Sequence, residues 1–282
     1  MKQAVQLLGR FFIAAALLGF LPAARLPLNQ SVKAAVESQP ALMLHASTTG
    51  HNGHNGMTGD LILAKLLENN RLREARLRQY SVPRTYRIQN DKGKVRAEVR
   101  VVLHYRAPGT KEFKIVSEKG SGLIRSRVFK PLMESEVETA AGRNRYDSSI
   151  SPNNYTFDLL GEEEVDGHRC FVVQATPKRN DTYLFKGKIW VHAAEFAVVQ
   201  IAGQPAKKLS FWINQVDFVR RNQKIGEFWL PLKDESIMQI KIAGKNILTI
   251  DYAHYEIARV GVSTPSVGRA TANSSHGALR AE

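Results

Sequence analysis

His192 and Glu195 stand three residues apart in "KGKIWVHAAEFAVVQIAG" (186–203), directly after a run that reads as a strand. An imidazole and a carboxylate at that spacing could ligate a metal or exchange a proton. A lone pair supplies only two ligands, whereas zinc takes three or four from the protein, and no nearby His, Cys or Asp supplies a third. Residues 193–196 also fall where the chain must reverse between two strands, which leaves the pair solvated, so the spacing reads as a hairpin corner. His168 and Cys170 lie two apart on a predicted strand and point to one face, as a thiol and its base would. Their neighbours are a turn and the apolar run "CFVVQA", and free cysteine is among the most buried residue types, so a core position is expected. "HNGHNG" (51–56) offers His51 and His54 to copper, nickel or zinc, but ordering a Gly-rich segment around a metal costs entropy, and a linker is expected. "GEEEVDG" (161–167) reads as a solvated corner, with calcium binding as its alternative. No Gly-x-Ser-x-Gly, no His-Glu-x-x-His and no phosphate-cradling Gly-rich loop occurs. The expectation is no catalytic residue, no metal and no cofactor.

The elements that would position these residues are mostly strands. In 95–105, Val95, Ala97, Val99, Val101, Leu103 and Tyr105 alternate with Arg96, Glu98, Arg100, Val102 and His104, a period of two with one apolar face. Similar runs occupy 84–90, 112–118, 153–165, 169–176, 182–192, 197–203, 209–220, 227–233, 235–242 and 246–257. Turn signals separate them, and "VDGH" (165–168) is the strongest, because Asp-Gly suits the two-residue turn whose twist matches paired strands. Two segments read as helices: 60–80, and 122–142 with Gly142 as its stop. Pro131 predicts a kink or a restart inside the second. Many short strands without intervening helices predict an antiparallel meander, and two helices can plug the open side of a sheet that curls. The fold class expected is mainly β with two helices (α+β), a curved antiparallel half-barrel with a helical lid.

The ends of the chain and its charge set the compartment. Lys2 and Arg10, the apolar run Phe11–Leu21 and the small residues Ala23 and Ala24 read as an export signal over 1–24. Residues 25–56 read as a flexible linker, 57–260 as the folded domain and 261–282 as a disordered tail. A periplasmic or secreted location follows. No cysteine follows the apolar run, so the chain is not expected to be a lipoprotein itself, and the single Cys170 excludes an internal disulfide. The 282 residues carry a formal net charge of +14, which favours anionic partners. Arg71, Arg73, Arg76 and Arg78 cluster at the end of the first helix, and Arg84, Arg87, Arg96, Arg100 and Arg106 continue on the polar edges of the next strands. A nucleic-acid partner is not expected, since the export signal gives the wrong address.

The stretches "GKIWVHAAEFAVVQIAG", "FWLP" (228–231) and "ILTIDYAHYEI" give residues 60–257 a resemblance to the LolA-like superfamily, which includes a periplasmic lipoprotein carrier, its outer-membrane receptor and an envelope-stress sensor. In such proteins a strand ending in Ile-Trp-Val runs into a tight corner, and a later Leu-Pro begins one of the last strands. The resemblance implies a curved half-barrel with helices as a lid, sheltering acyl chains. Two departures stand out. Asp is common at the corner where this chain has His192, and the carrier's lid-locking arginine has no particular match.

The residues expected to line an apolar cavity are Val99, Val101, Leu103, Phe157, Ile189, Val191, Phe211 and Ile250. Strands 182–192 and 209–220 also carry apolar residues on both faces, Trp190 against Ile189 and Val191, and Trp212 against Phe211 and Ile213. That pattern predicts cover for the second face from a terminal segment, a partner or lipid. The function expected is a non-enzymatic carrier or envelope sensor holding acyl chains of a lipoprotein or other envelope lipid. The alternatives are a protein-binding module gripping an envelope partner with the sheet and basic edge, and a secreted hydrolase with a dispersed site.

Overall fold

The computed structural model describes residues 56–142, 149–208, 211, 213–241 and 244–258. The expected export signal, the linker apart from its last residue, the tail beyond 260 and Trp212 lie outside the described residues.

Apolar alternation builds the sheet. β1 (Gln79–Asn90), β2 (Val95–Arg106) and β3 (Thr110–Gly120) form a first antiparallel meander. In β2 the apolar set Ala97, Val99, Val101, Leu103 and Tyr105 is buried, and Arg96, Arg100, His104 and Arg106 are exposed, as a period of two requires. A second meander runs through β4 (Tyr155–Val165), β5 (His168–Pro177), β6 (Phe185–His192), β7 (Val198–Pro205), β8 (Ile213–Ile225), β9 (Phe228–Ile240) and β10 (Gly244–Tyr252). The two meanders join where β10 pairs with β1, which gives the order β3-β2-β1-β10-β9-β8-β7-β6-β5-β4. The two-residue β11 (Glu256–Ile257) continues along β1. β3 and β4 are unpaired edges, so the sheet stays open, and the expected class of an open antiparallel sheet with two helical segments is the class observed.

Boundaries differ from the sequence reading at several elements: β1 begins at Gln79 rather than 84, and β8 runs from Ile213 to Ile225 rather than over 209–220. The runs 227–233 and 235–242 are one strand, β9, because its pairing with β8 and β10 continues across residue 234. The run 246–257 divides into β10 and β11. The first helix, α1 (Gly59–Arg76), stops short of 80 because Gln79 and Tyr80 are taken by the ladder opposite Arg106 and Tyr105. The Asp166–Gly167 turn forms as predicted: both residues have positive φ (51° and 78°) and Val165 faces His168.

Both helical segments lie against the inner face of the sheet. α1 begins at Thr58, whose side chain accepts the Leu61 amide, and buries Ile62, Leu63 and Leu66. Its first residue, Gly59, lies so close to β4 that a Cβ would stand 2.4 Å from the Phe157 carbonyl oxygen. The second segment is α2 (Gly122–Ile124), a π-helical turn (Arg125–Phe129) and α3 (Lys130–Ala140). Pro131 sits in the first turn of α3. Its ring would crowd the carbonyl four residues back, and the wider turn just before it is the predicted break. α3 buries Leu132 and Met133, and Phe129 before it is fully buried. Among the described residues no helix is long and apolar enough to cross a membrane.

Candidate functional site

The inner face of the sheet and the helices enclose one apolar cluster. Val99, Val101, Leu103, Phe157, Ile189, Val191 and Ile250 all belong to it, each at most 6% exposed. The structure therefore brings together these predicted cavity residues from β2, β4, β6 and β10. Phe211 is placed elsewhere: it lies on the turn before β8 rather than in a strand, 69% exposed, with the Lys241 Nζ 3.4 Å above its ring.

Charged residues interrupt this apolar wall, and sequence reasoning missed them. Arg84, expected on a polar strand edge, is 3% exposed and points inward from β1, because it is in phase with Tyr80, Val82, Tyr86 and Ile88. Its Nη1 donates to Glu136 Oε2 at 2.9 Å, and Lys111 Nζ of β3 donates to Glu136 Oε1 at 2.7 Å. Glu136 comes from α3, one turn beyond Leu132, so it shares the buried face of that helix. The Arg84 guanidinium stacks 4.5 Å from the Tyr252 ring centre, and the Tyr252 hydroxyl donates to Asp234 Oδ2 at 2.9 Å. Asp234 of β9 takes a two-pronged contact from Arg220 of β8, 2.5 Å in each arm, both side chains buried. Burial by itself would raise the Glu136 carboxyl, but Arg84 and Lys111 overcome it and hold the group well below the usual carboxylate range. Burial depresses the Lys111 ammonium, and Glu136 offsets this only in part. The signal that could have found the network is phase: Arg84 and Arg220 each occupy an inward position of an alternating strand.

The hairpin corner that carries His192 and Glu195 is structural. His192 Nδ1 accepts the amides of Ala194 (3.2 Å) and Glu195 (3.1 Å), as an aspartate oxygen does in a tight turn. That requires a neutral ring with its proton on Nε2, and burial lowers the His192 pKa accordingly. The Glu195 carboxylate accepts from Lys224 Nζ (2.6 Å) and Trp229 Nε1 (2.9 Å). α1 is fastened to the same corner: Asn69 and Arg73 donate to the Glu195 carbonyl, and Arg73 also reaches the Phe196 carbonyl at 3.3 Å. Among the described residues no three His, Cys, Asp or Glu side chains group to hold a metal.

A smaller apolar cluster occupies the outer face: Cys170, Val172, Trp190, Ala197, Val199 and Trp229. This is the predicted two-faced apolarity, for the Trp190 strand. The indole N–H groups reach Glu163 and Glu195, so the chain's own carboxylates cap the indole edges of this patch. Cys170 is fully buried here. Its thiol is pushed up to about 11 by burial and then by Asp166, and it donates to the His168 carbonyl rather than to an imidazole. A nucleophile needs the reverse. His168 packs edge-on against Trp229, with ring centres 5.1 Å apart.

The basic stretch is partly committed within the chain. Arg71 pairs with Glu68, Arg76 with Glu227, and Arg73 with the corner, while Arg87 and Arg100 share Glu98.

The architecture defines an open antiparallel sheet with a helical cover over one face. A family model described as an uncharacterized protein matches residues 145–254. The chain is similar in fold to a DUF1329 family protein from Desulfovibrio piger (15% identity, 73% of this chain and 95% of that chain, TM-score 0.39). It is similar to a LolA superfamily protein from Nitrosomonas europaea (11% identity, 73% and 96%, TM-score 0.37). It also shares a likeness with the Pseudomonas aeruginosa MucA/MucB complex (10% identity, 68% and 92%, TM-score 0.25). No curated protein matches the chain.

Proposed function

We propose that the protein is an exported, non-enzymatic carrier or sensor that holds the acyl chain of a lipoprotein or another envelope lipid between the inner face of its sheet and its helices. The observation that carries this reading is how the helices are attached. α1 buries only Ile62, Leu63 and Leu66 besides Gly59 and is otherwise tied by polar contacts to the hairpin corner. α3 buries Leu132, Met133 and Thr139 and is tied to the sheet through the Glu136 carboxylate. Such a cover separates from an apolar wall by exchanging a few polar contacts, and an acyl chain can take its place. Each methylene that enters is stabilised by about 0.8 kcal/mol, so a dozen or so offset the apolar contacts the helices give up.

Val99, Val101, Leu103, Phe157, Ile189, Val191 and Ile250 form the wall in this reading, and Phe211 stands outside it. Of the expected basic set Arg71, Arg73, Arg76 and Arg78, Arg73 is held at the hairpin corner, and Arg71, Arg76 and Arg78 would face an anionic membrane or envelope protein as a secondary contact. The inert setting of Cys170 supports a protein that binds rather than catalyses. Solvent extraction of the purified protein followed by mass spectrometry tests the reading, together with titration of a fluorescent fatty acid. Bound lipid or saturable binding is expected. Repeated absence of both would remove the carrier and favour a protein-binding module.

A further inference from the structure

Among the described residues the buried network holds one anion fewer than it holds cations. Arg84, Lys111 and Arg220 bring three cations into the inner face, and Glu136 and Asp234 bring two carboxylates. Arg220 pairs with Asp234. Glu136 alone must serve both Arg84 and Lys111, whose side chains are 2% and 9% exposed. An unmatched charge in an apolar interior is unfavourable, and a protein normally pairs it or removes it. The Arg84 Nε, itself buried, has no hydrogen-bond partner among the described residues, although guanidinium groups favour two-pronged contact with a carboxylate. Phe113 and Tyr252 flank Arg84, the buried Tyr80 and Tyr86 hydroxyls are polar neighbours of its guanidinium, and Val99, Val101 and Ile250 lie on the neighbouring strands, so phenolic and apolar side chains surround the free donor.

We propose that Arg84 and Lys111 form a receptor for the carboxylate of a fatty acid, whose chain lies along the inner wall. The inference rests on the carrier reading above and adds the head group to it. Glu136 already shows that a carboxylate bridges the two cations, one oxygen to each. A ligand carboxylate on Arg84 leaves Glu136 with Lys111, and two cations then face two anions. The same exchange loosens α3, since Glu136 gives up its contact with β1. Loading is therefore coupled to the position of that helix.

The test is a titration of delipidated protein with decanoic acid and with decanol, which share a chain and differ in the head group. The acid is expected to bind about tenfold tighter or better, the increment of one charge-assisted contact. Arg84→Met should bring the two ligands within about twofold of each other. In Glu136→Gln the acid supplies the lost carboxylate, so it should raise the thermal midpoint by more than it does in the unaltered protein, and decanol should not. This second arm stands even if Arg84→Met does not fold, which circular dichroism reports. Decyl phosphate, as a third ligand, separates a carboxylate receptor from a general anion receptor, and binding equal to or tighter than the acid's overturns the carboxylate assignment. Equal binding of acid and alcohol overturns the head-group assignment and leaves the carrier. Binding of neither overturns both. A preference for acid that survives in Arg84→Met and in Lys111→Met also overturns it.

Discussion

Replacing Glu136 by alanine isolates the interaction that fastens α3. The side chain is 13% exposed and faces two cations that are more deeply buried still. Removal leaves Arg84 and Lys111 side by side without an anion, the situation in which breaking a buried pair costs about 3–5 kcal/mol. Against a total stability of roughly 5–15 kcal/mol this is a large share. With a urea slope of about 2 kcal/mol per molar, the unfolding midpoint should fall by roughly 2 M. The effect should depend on pH in a definite direction. The folded-state pKa of Glu136 is depressed, so its contribution is complete above the ordinary glutamate value of about 4.3 and is lost as pH falls below it. The gap between Glu136→Ala and the unaltered protein should therefore be full at pH 7 and shrink in acid. Replacing Arg84, Lys111 and Glu136 together by Met, Leu and Leu should recover most of the loss, because no charge is then stranded. A midpoint for Glu136→Ala within about 1 kcal/mol of the unaltered protein at pH 7 would refute the reasoning, since it would mean that water already reaches the pair.

Other consequences are equally direct. His192→Phe removes the acceptor for two corner amides and should cost about 1–3 kcal/mol, while His192→Asp should retain most of that, as measured by hydrogen exchange at Ala194 and Glu195. Because the folded-state pKa of His192 is lowered, the protection of these amides relative to their intrinsic exchange rates should be full above about pH 6.5 and decline as pH falls below it. Gly187→Ala should lose more than about 2 kcal/mol in chemical unfolding, since its Cβ would lie 2.1 Å from the Ala202 carbonyl oxygen and force β6 away from β7. Cys170 should resist thiol reagents in the native protein and react in urea, and Cys170→Ala should keep any lipid binding.

Local chemistry made most of the fold legible. The alternation in 95–105, the Asp166–Gly167 turn and the break at Pro131 each act through bonds and contacts a few residues long, and each appears where expected. The end of α1 was misplaced because pairing with Arg106 and Tyr105, far along the chain, overrode helix propensity at Gln79 and Tyr80. The apolar wall was legible for the same reason as the strands, and Phe211 failed because its run does not begin until Ile213. The ionic network was not read at all. Its members are 52 and 25 positions apart in sequence, and a charged residue within a run suggests a solvated edge until its phase is counted. The resemblance named a corner aspartate, and the imidazole of His192 supplies the same acceptor by other means.

The junction of the two meanders bears on how the molecule assembles. β1 finds its neighbour β2 at once, but its other neighbour is β10, with Arg84 opposite Tyr252 and Asn90 opposite Asn246. The middle of the sheet is therefore a seam between segments made far apart in time, while its two margins are built from short-range hairpins. Contacts of such long sequence separation form slowly, because the intervening chain must be ordered before they contribute. β1 and β9 each lack the neighbour that joins them until β10 is made, so the sheet cannot be completed across the seam before nearly the whole folded span exists.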